Sequence, residues 1–111
     1  MNKATILIFS ENKNRTQTLV ETFGKTFYSL TANTEEAAID KFLQSPVDAV
    51  LFGEDISETL KAKLTKIFGT QQANTVFVND NAAVNITEAI RNSISAKQKK
   101  TNLLFLLKMM P

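Results

Sequence analysis

The sequence predicts an α/β domain built on a doubly wound parallel sheet. Two observations carry that reading. Short apolar runs alternate along the chain with segments whose apolar residues recur at helical spacing. Residues suited to capping helices fall between them. Alternating strands and helices favour parallel strands joined by right-handed crossovers. The expected strand order is 2-1-3-4, with any fifth strand at the far edge. Ligands of such sheets bind at the carboxyl ends of the strands, near the switch between strands 1 and 3.

Residues 4–9 (ATILIF) form a continuous apolar run, as expected of a central strand covered on both faces. Ser10, Glu11 and Asn12 make a turn. The helix at residues 13–23 buries Leu19, Val20 and Phe23, and Gly24 suits its C-terminal cap. Residues 26–31 alternate Phe27, Ser29 and Thr31 against Tyr28 and Leu30, a half-buried strand near a sheet edge. Asn33 is the expected N-cap of the second helix, with Glu36 completing a capping box. That helix presents Ala38, Ile39, Phe42 and Leu43 and stops before Pro46. Residues 47–52 are the next buried strand. Ser57 is read as the cap of a third helix carrying Leu60, Leu64, Ile67 and Phe68, with Gly69 closing it. Residues 75–78 (TVFV) form the fourth strand. Asn85 and Glu88 repeat the capping pattern before a helix with Ile86, Ala89, Ile90 and Ile94 as its apolar stripe. That helix runs out in Lys97, Lys99 and Lys100, cations suited to a helix C-terminus.

Composition bounds the function. At 111 residues the chain supports one core, and 43% hydrophobic with 22% charged residues fits an ordinary globular domain. A net charge of +2 is too small to argue for nucleic acid. The chain has no cysteine, which removes disulfides and thiolate metal sites. It has no histidine either, so the commonest general base and transition-metal ligand are missing. Ser10 and Ser57 have no imidazole to activate them. Gly53 and Gly69 stand alone rather than in a phosphate-cradling loop. No signal-peptide pattern opens the chain, and no apolar stretch approaches the roughly 20 residues of a membrane span. A cytoplasmic, non-enzymatic protein without a cofactor is therefore expected.

The most informative stretch is Pro46-Val47-Asp48-Ala49-Val50-Leu51-Phe52-Gly53. It resembles the third strand of the receiver domains of two-component response regulators, the CheY-like members of the flavodoxin-like folds. The resemblance covers roughly residues 3–96 and rests on topology, strand pattern and element length. In that family the strand ends in the aspartate that accepts a phosphoryl group; the matching residue here is Gly53. Receivers usually place two adjacent acids after strand 1 to hold magnesium; here the pair is Ser10 and Glu11. Receivers place a threonine or serine after strand 4; here the match is Asn79, followed by Asp80. The family's lysine after strand 5 has no certain counterpart, since Lys108 lies several residues too far from Asn79. The resemblance thus implies the fold and a degenerate phospho-site at Ser10, Glu11, Gly53 and Asn79.

The remaining acids leave several readings open. Glu11, Glu54, Asp55 and Asp80 could converge on one rim, with Glu11 and Asp55 as candidate ligands of a hard cation. The plainer reading is that Glu54 and Asp55 are solvated loop acids, with Asp55 or Ser57 capping the third helix. Glu54, one residue past the matching position, is a candidate mimic of a phosphorylated aspartate.

Residues 1–100 are read as the receiver-like domain and 101–111 as an apolar C-terminal tail. Three readings of the tail compete: an added oligomerisation element, a fifth strand at residues 103–107, or a short amphipathic membrane anchor. The first two favour a homodimer, and Ile90, Ile94, Leu103, Phe105 and Leu107 are the expected interaction surface. The reading as a whole is a pseudo-receiver that contacts a signalling protein, with a small-ligand or metal-binding domain as the alternative.

Overall fold

In the two central strands every side chain meets protein, whichever side of the sheet it faces. The structure is a computed structural model describing residues 3–80 and 85–109, with side chains followed to residue 97. The chain runs β1 (Thr5–Phe9), α1 (Lys13–Phe23), β2 (Tyr28–Ala32), α2 (Glu35–Gln44), β3 (Ala49–Phe52), α3 (Glu58–Gln71), β4 (Val76–Asn79) and α4 (Ile86–Met109). The four strands are parallel in the order β2-β1-β3-β4, as expected, with β2 at an edge.

Strand alternation sorts the core into two layers. Leu7, Phe9, Val50 and Phe52 share one layer with Ala38 and Phe42 of α2 and Leu64 and Phe68 of α3. Ile6, Ile8, Ala49 and Leu51 share the other with Leu19 and Phe23 of α1 and Ile86 and Ile90 of α4. Each fully buried Leu, Ile or Phe contributes about 1.5–3 kcal/mol over its exposed state. Aromatic contacts lock the layers: Phe42 stacks on Phe68 at 4.1 Å, and Phe23 meets Phe27 edge-on at 5.3 Å.

Beneath the helices one side chain joins two turns. Gln72 Oε1 accepts from the Val47 amide (2.8 Å), while its Nε2 donates to the Phe42 and Ser45 carbonyls. The Thr75 hydroxyl adds a bond to the Val47 carbonyl (2.6 Å). The turn before β3 is thereby fixed to the turn before β4. The pairs Phe9↔Phe52 and Phe52↔Asn79 then bring the carboxyl ends of β1, β3 and β4 level.

Three caps follow the expected chemistry. Gly24 takes φ +49° and donates its amide to the Val20 carbonyl, Ser57 Oγ accepts from Leu60 N, and Asn85 Oδ1 accepts from Glu88 N. Two do not. Thr34, not Asn33, caps α2: Thr34 Oγ1 accepts from the Ala37 amide (3.1 Å), while the Asn33 side chain is turned to the Ser10 carbonyl, to which its Nδ2 donates (2.8 Å). Gly69 does not end α3, which continues to Gln71. Gly24 is the one described glycine with positive φ, so Gly69 lacks the left-handed turn of a glycine cap.

The C-terminal element corrects two further expectations. Residues 103–107 lie within the α4 helix and not in a fifth strand, and the sheet has four strands among the described residues. Ile90 is fully buried and holds α4 to the domain, so it has no surface to offer a partner; half-buried Ile94 packs against the same core layer. The side chains of Leu103, Phe105 and Leu107 lie outside the described residues. At about 1.5 Å per residue, a 24-residue helix is longer than either short dimension of the molecule, 27 and 26 Å. No described helix is long and apolar enough to cross a membrane.

Candidate functional site

The site is built where β1, β3 and β4 end. Ser10, completely buried, follows β1, and Glu11 follows it at the surface. Gly53 follows β3, its amide bonded to the Phe9 carbonyl (2.8 Å). The Asp80 amide continues the pairing to the Phe52 carbonyl (2.8 Å). The chain then turns tightly after β3, with Ile56 N bonded to the Gly53 carbonyl, and this turn sends the Asp55 side chain back over the strand ends.

Asp55 is held there from two sides. Its Oδ1 accepts from the Ser10 hydroxyl (2.7 Å) and its Oδ2 from the Glu11 amide (2.7 Å). Ser10 Oγ in turn accepts from the Asn12 amide (3.1 Å), and Asn12 Oδ1 caps α1 by accepting from Asn14 and Arg15. The space for this is available because residue 53 has no side chain. A Cβ on Gly53 would lie 2.5 Å from Asp55 Oδ1, 2.8 Å from Ser10 Cβ and 2.9 Å from Ser10 Oγ. Partial burial pushes the Asp55 carboxyl up. The hydrogen bonds from Ser10 and from the Glu11, Asp55 and Asn12 amides together outweigh it and hold the group below the usual carboxylate range.

The second acid is neutralised by a different element. Asp80 receives a two-pronged contact from Arg15 of α1, Nε to Oδ2 at 2.6 Å and Nη2 to Oδ1 at 2.7 Å. The Asp80 side chain is 2% exposed and that of Arg15 36%, so the carboxylate is inside and the guanidinium reaches water. The hydrogen bond to Asp80 is the main cause that raises Arg15 above its ordinary value; burial opposes it, and the charges of Asp80 and Glu54 add to it.

The sequence-predicted residues are thus only partly gathered. Ser10, Glu11, Gly53 and Asp55 meet. Asn79 is exposed at the end of β4, and Glu54 is exposed on the loop after β3. Asp80 is taken up by Arg15. Among the described residues no three acidic, histidine or cysteine side chains converge as a cation site. Sequence reasoning missed Arg15, Asn12 and Asn33. One signal for Arg15 was available: a cation in the first turn of a helix opposes the helix dipole, so its presence there asks for an acidic partner.

No protein-family model matches the chain, and no curated protein matches its sequence. Solved structures do match. The crystal structure of an adenylate cyclase from Rhodopirellula baltica superposes with a TM-score of 0.64 at 18% identity, covering 98% of this chain and 100% of that one. A CheY-like response regulator receiver domain protein from Methanospirillum hungatei JF-1 gives 0.59 at 16% identity, covering 89% of this chain and 99% of that one. At such identities the likeness is one of fold. The chain has the flavodoxin-like architecture of CheY-like receiver domains.

Two outcomes are expected. Arg15→Ala strands a buried carboxylate and destabilises the domain by about 3 kcal/mol, the low end for an uncompensated buried charge because this pair opens to water on the Arg15 side. Asp80→Ala leaves a guanidinium that can hydrate and costs less. Urea denaturation of both variants measures the asymmetry; equal losses would show that the burial difference carries no energy. The second concerns acid. A carboxyl lowered in the folded state adds stability above its unfolded pKa of about 3.9 and loses it as pH falls through the folded value. Below about pH 4 wild type therefore loses stability that Asp55→Asn never had, and acid titrations of the two should converge as pH falls. Parallel curves would remove Asp55 from the acid response.

Proposed function

We propose that this chain is a cytoplasmic pseudo-receiver: a module of bacterial signal transduction that takes no phosphoryl group and works by contacting another protein. Gly53 carries the reading. Phosphoryl transfer to an aspartate needs a carboxylate aligned with the donor and cations on the phosphate oxygens. Glycine supplies no carboxylate. The neighbouring Asp55 has a hydrogen bond on each oxygen, and Asp80 is engaged by Arg15. The chain also lacks histidine and cysteine, which supports a non-enzymatic role. The test is intact-mass spectrometry after incubation with acetyl phosphate and Mg²⁺. No phosphoryl adduct is expected on wild type, and a carboxylate adduct lost in Asp55→Asn would overturn the reading.

Self-association belongs to the same proposal. Residues 103–107 are five successive apolar residues in a helix longer than either short dimension of the molecule. A helix apolar on all sides is normally buried, and a second copy can bury it. Light scattering of the full chain and of a version ending at Lys100 should give a dimer and a folded monomer respectively. A monomeric full chain would dispose of the dimer while leaving the phosphoryl result untouched.

A further inference from the structure

Resting on the proposed contact role, a groove beside α3 points to the kind of partner. On the sheet side covered by α2 and α3, the outer strand β4 is incompletely covered. A groove of about 480 Å³ lies between α3 and β4. Its floor is Phe52 and the half-buried Phe77, whose rings are nearly parallel at 6.2 Å. Its wall is the exposed Ala62 and Thr65 of α3. Gly69 lies one heptad beyond Ala62 on the same stripe of the helix, with nothing within 4 Å of where a Cβ would stand. Small residues at this spacing let a second helix approach closely, and packed helices sit about 8–10 Å apart. The open strip over β4 therefore suits one more helix in the α2–α3 layer.

Charge selects among helices. Lys61 and Lys66 border the groove, and Glu58, its one acidic lining residue, already pairs with Lys61 (3.4 Å). Lys66 has no ion-pair partner among the described residues. The border is net positive, so an acidic occupant gains and a basic one is repelled. The C-terminal segment of a second copy carries Lys99, Lys100 and Lys108 and no acidic residue, the wrong sign for this groove. We propose that the groove between α3 and β4 docks an acidic amphipathic helix of a partner protein, its leucine-type face on Phe77 and against Ala62 and Thr65, and its carboxylates toward Lys61 and Lys66.

The probe is a synthetic helical peptide with leucines at i, i+3, i+4 and i+7 and glutamates on both flanks, compared with the same leucine pattern flanked by lysines. Fluorescence anisotropy gives affinity, and amide NMR shifts of the full chain give location. The acidic peptide should bind, shift Thr65, Lys66 and Phe77, and weaken as salt rises. Lys66→Glu should lower its affinity about tenfold, and Ala62→Trp, a plug on an exposed position, should abolish binding without altering the fold. The idea is overturned by absence of binding, by equal binding of the lysine peptide, or by shifts confined to α1 and α4. It is equally overturned if the same shifts arise from raising the protein's own concentration, which would assign the groove to a second copy. None of these outcomes bears on the phosphoryl test.

Discussion

The missing Cβ at residue 53 is the constraint on which the carboxyl edge depends. Gly53, the residue after β3, bonds to the Phe9 carbonyl and so lies beside Ser10, which follows β1 and is buried. Any side chain there would collide with Ser10 and with the carboxylate of Asp55. With glycine in place, Asp55 can reach back across the sheet. It bonds to the Ser10 hydroxyl and the Glu11 amide, and so joins the loop after β3 to the turn after β1. That turn also starts α1, since Asn12 both caps the helix and donates to Ser10. One absent side chain thus lets a single carboxylate tie a loop, a turn and a helix start together.

Two of the acids at this edge, Asp55 and Asp80, are matched internally. Asp55, at the surface, accepts a hydrogen bond on each oxygen, and the buried Asp80 is met by a guanidinium. A buried carboxylate is tolerated only when hydrogen bonds or an opposite charge replace its water. Arg15 gains twice from the arrangement, because the pairing with Asp80 offsets the unfavourable position of a cation in the first turn of α1. In the proposed role, an edge whose Asp55 and Asp80 are already engaged holds one arrangement, and recognition falls to the surfaces of the helices.

How much of this was legible in the sequence follows from which force decides each feature. Burial on both sides of β1 and β3 writes itself into composition, so residues 4–9 and 47–52 read as central strands. Glycine with positive φ is equally plain at Gly24. The cap of α2 was misplaced by one residue because Asn33 and Thr34 are both good caps. A tertiary demand, the Ser10 carbonyl, decided between them. Gly69 misled because glycine is tolerated inside a helix whose neighbours Leu64 and Phe68 are deeply buried. Ile90 and Ile94 have the spacing of an apolar stripe, but spacing cannot say whether that stripe meets its own sheet or another molecule. The fold of Asp55 over Gly53 depends on a turn geometry that residue types alone do not specify, so Asp55 read equally well as a loop acid, a cap or a ligand.

The place of β1 in the sheet has a kinetic consequence. It lies between β2 and β3, so Leu7 pairs with Leu30 on one side and Val50 on the other. Parallel neighbours cannot be joined by a tight hairpin; each pairing waits for a crossover helix, and the loop-closure entropy must be met before the contact returns anything. Chains emerge from the ribosome N-terminus first. The apolar strand β1, made before both of its neighbours, therefore stays open along one edge until β3 has been synthesised. Throughout that interval its unpaired edge is a template for mispairing.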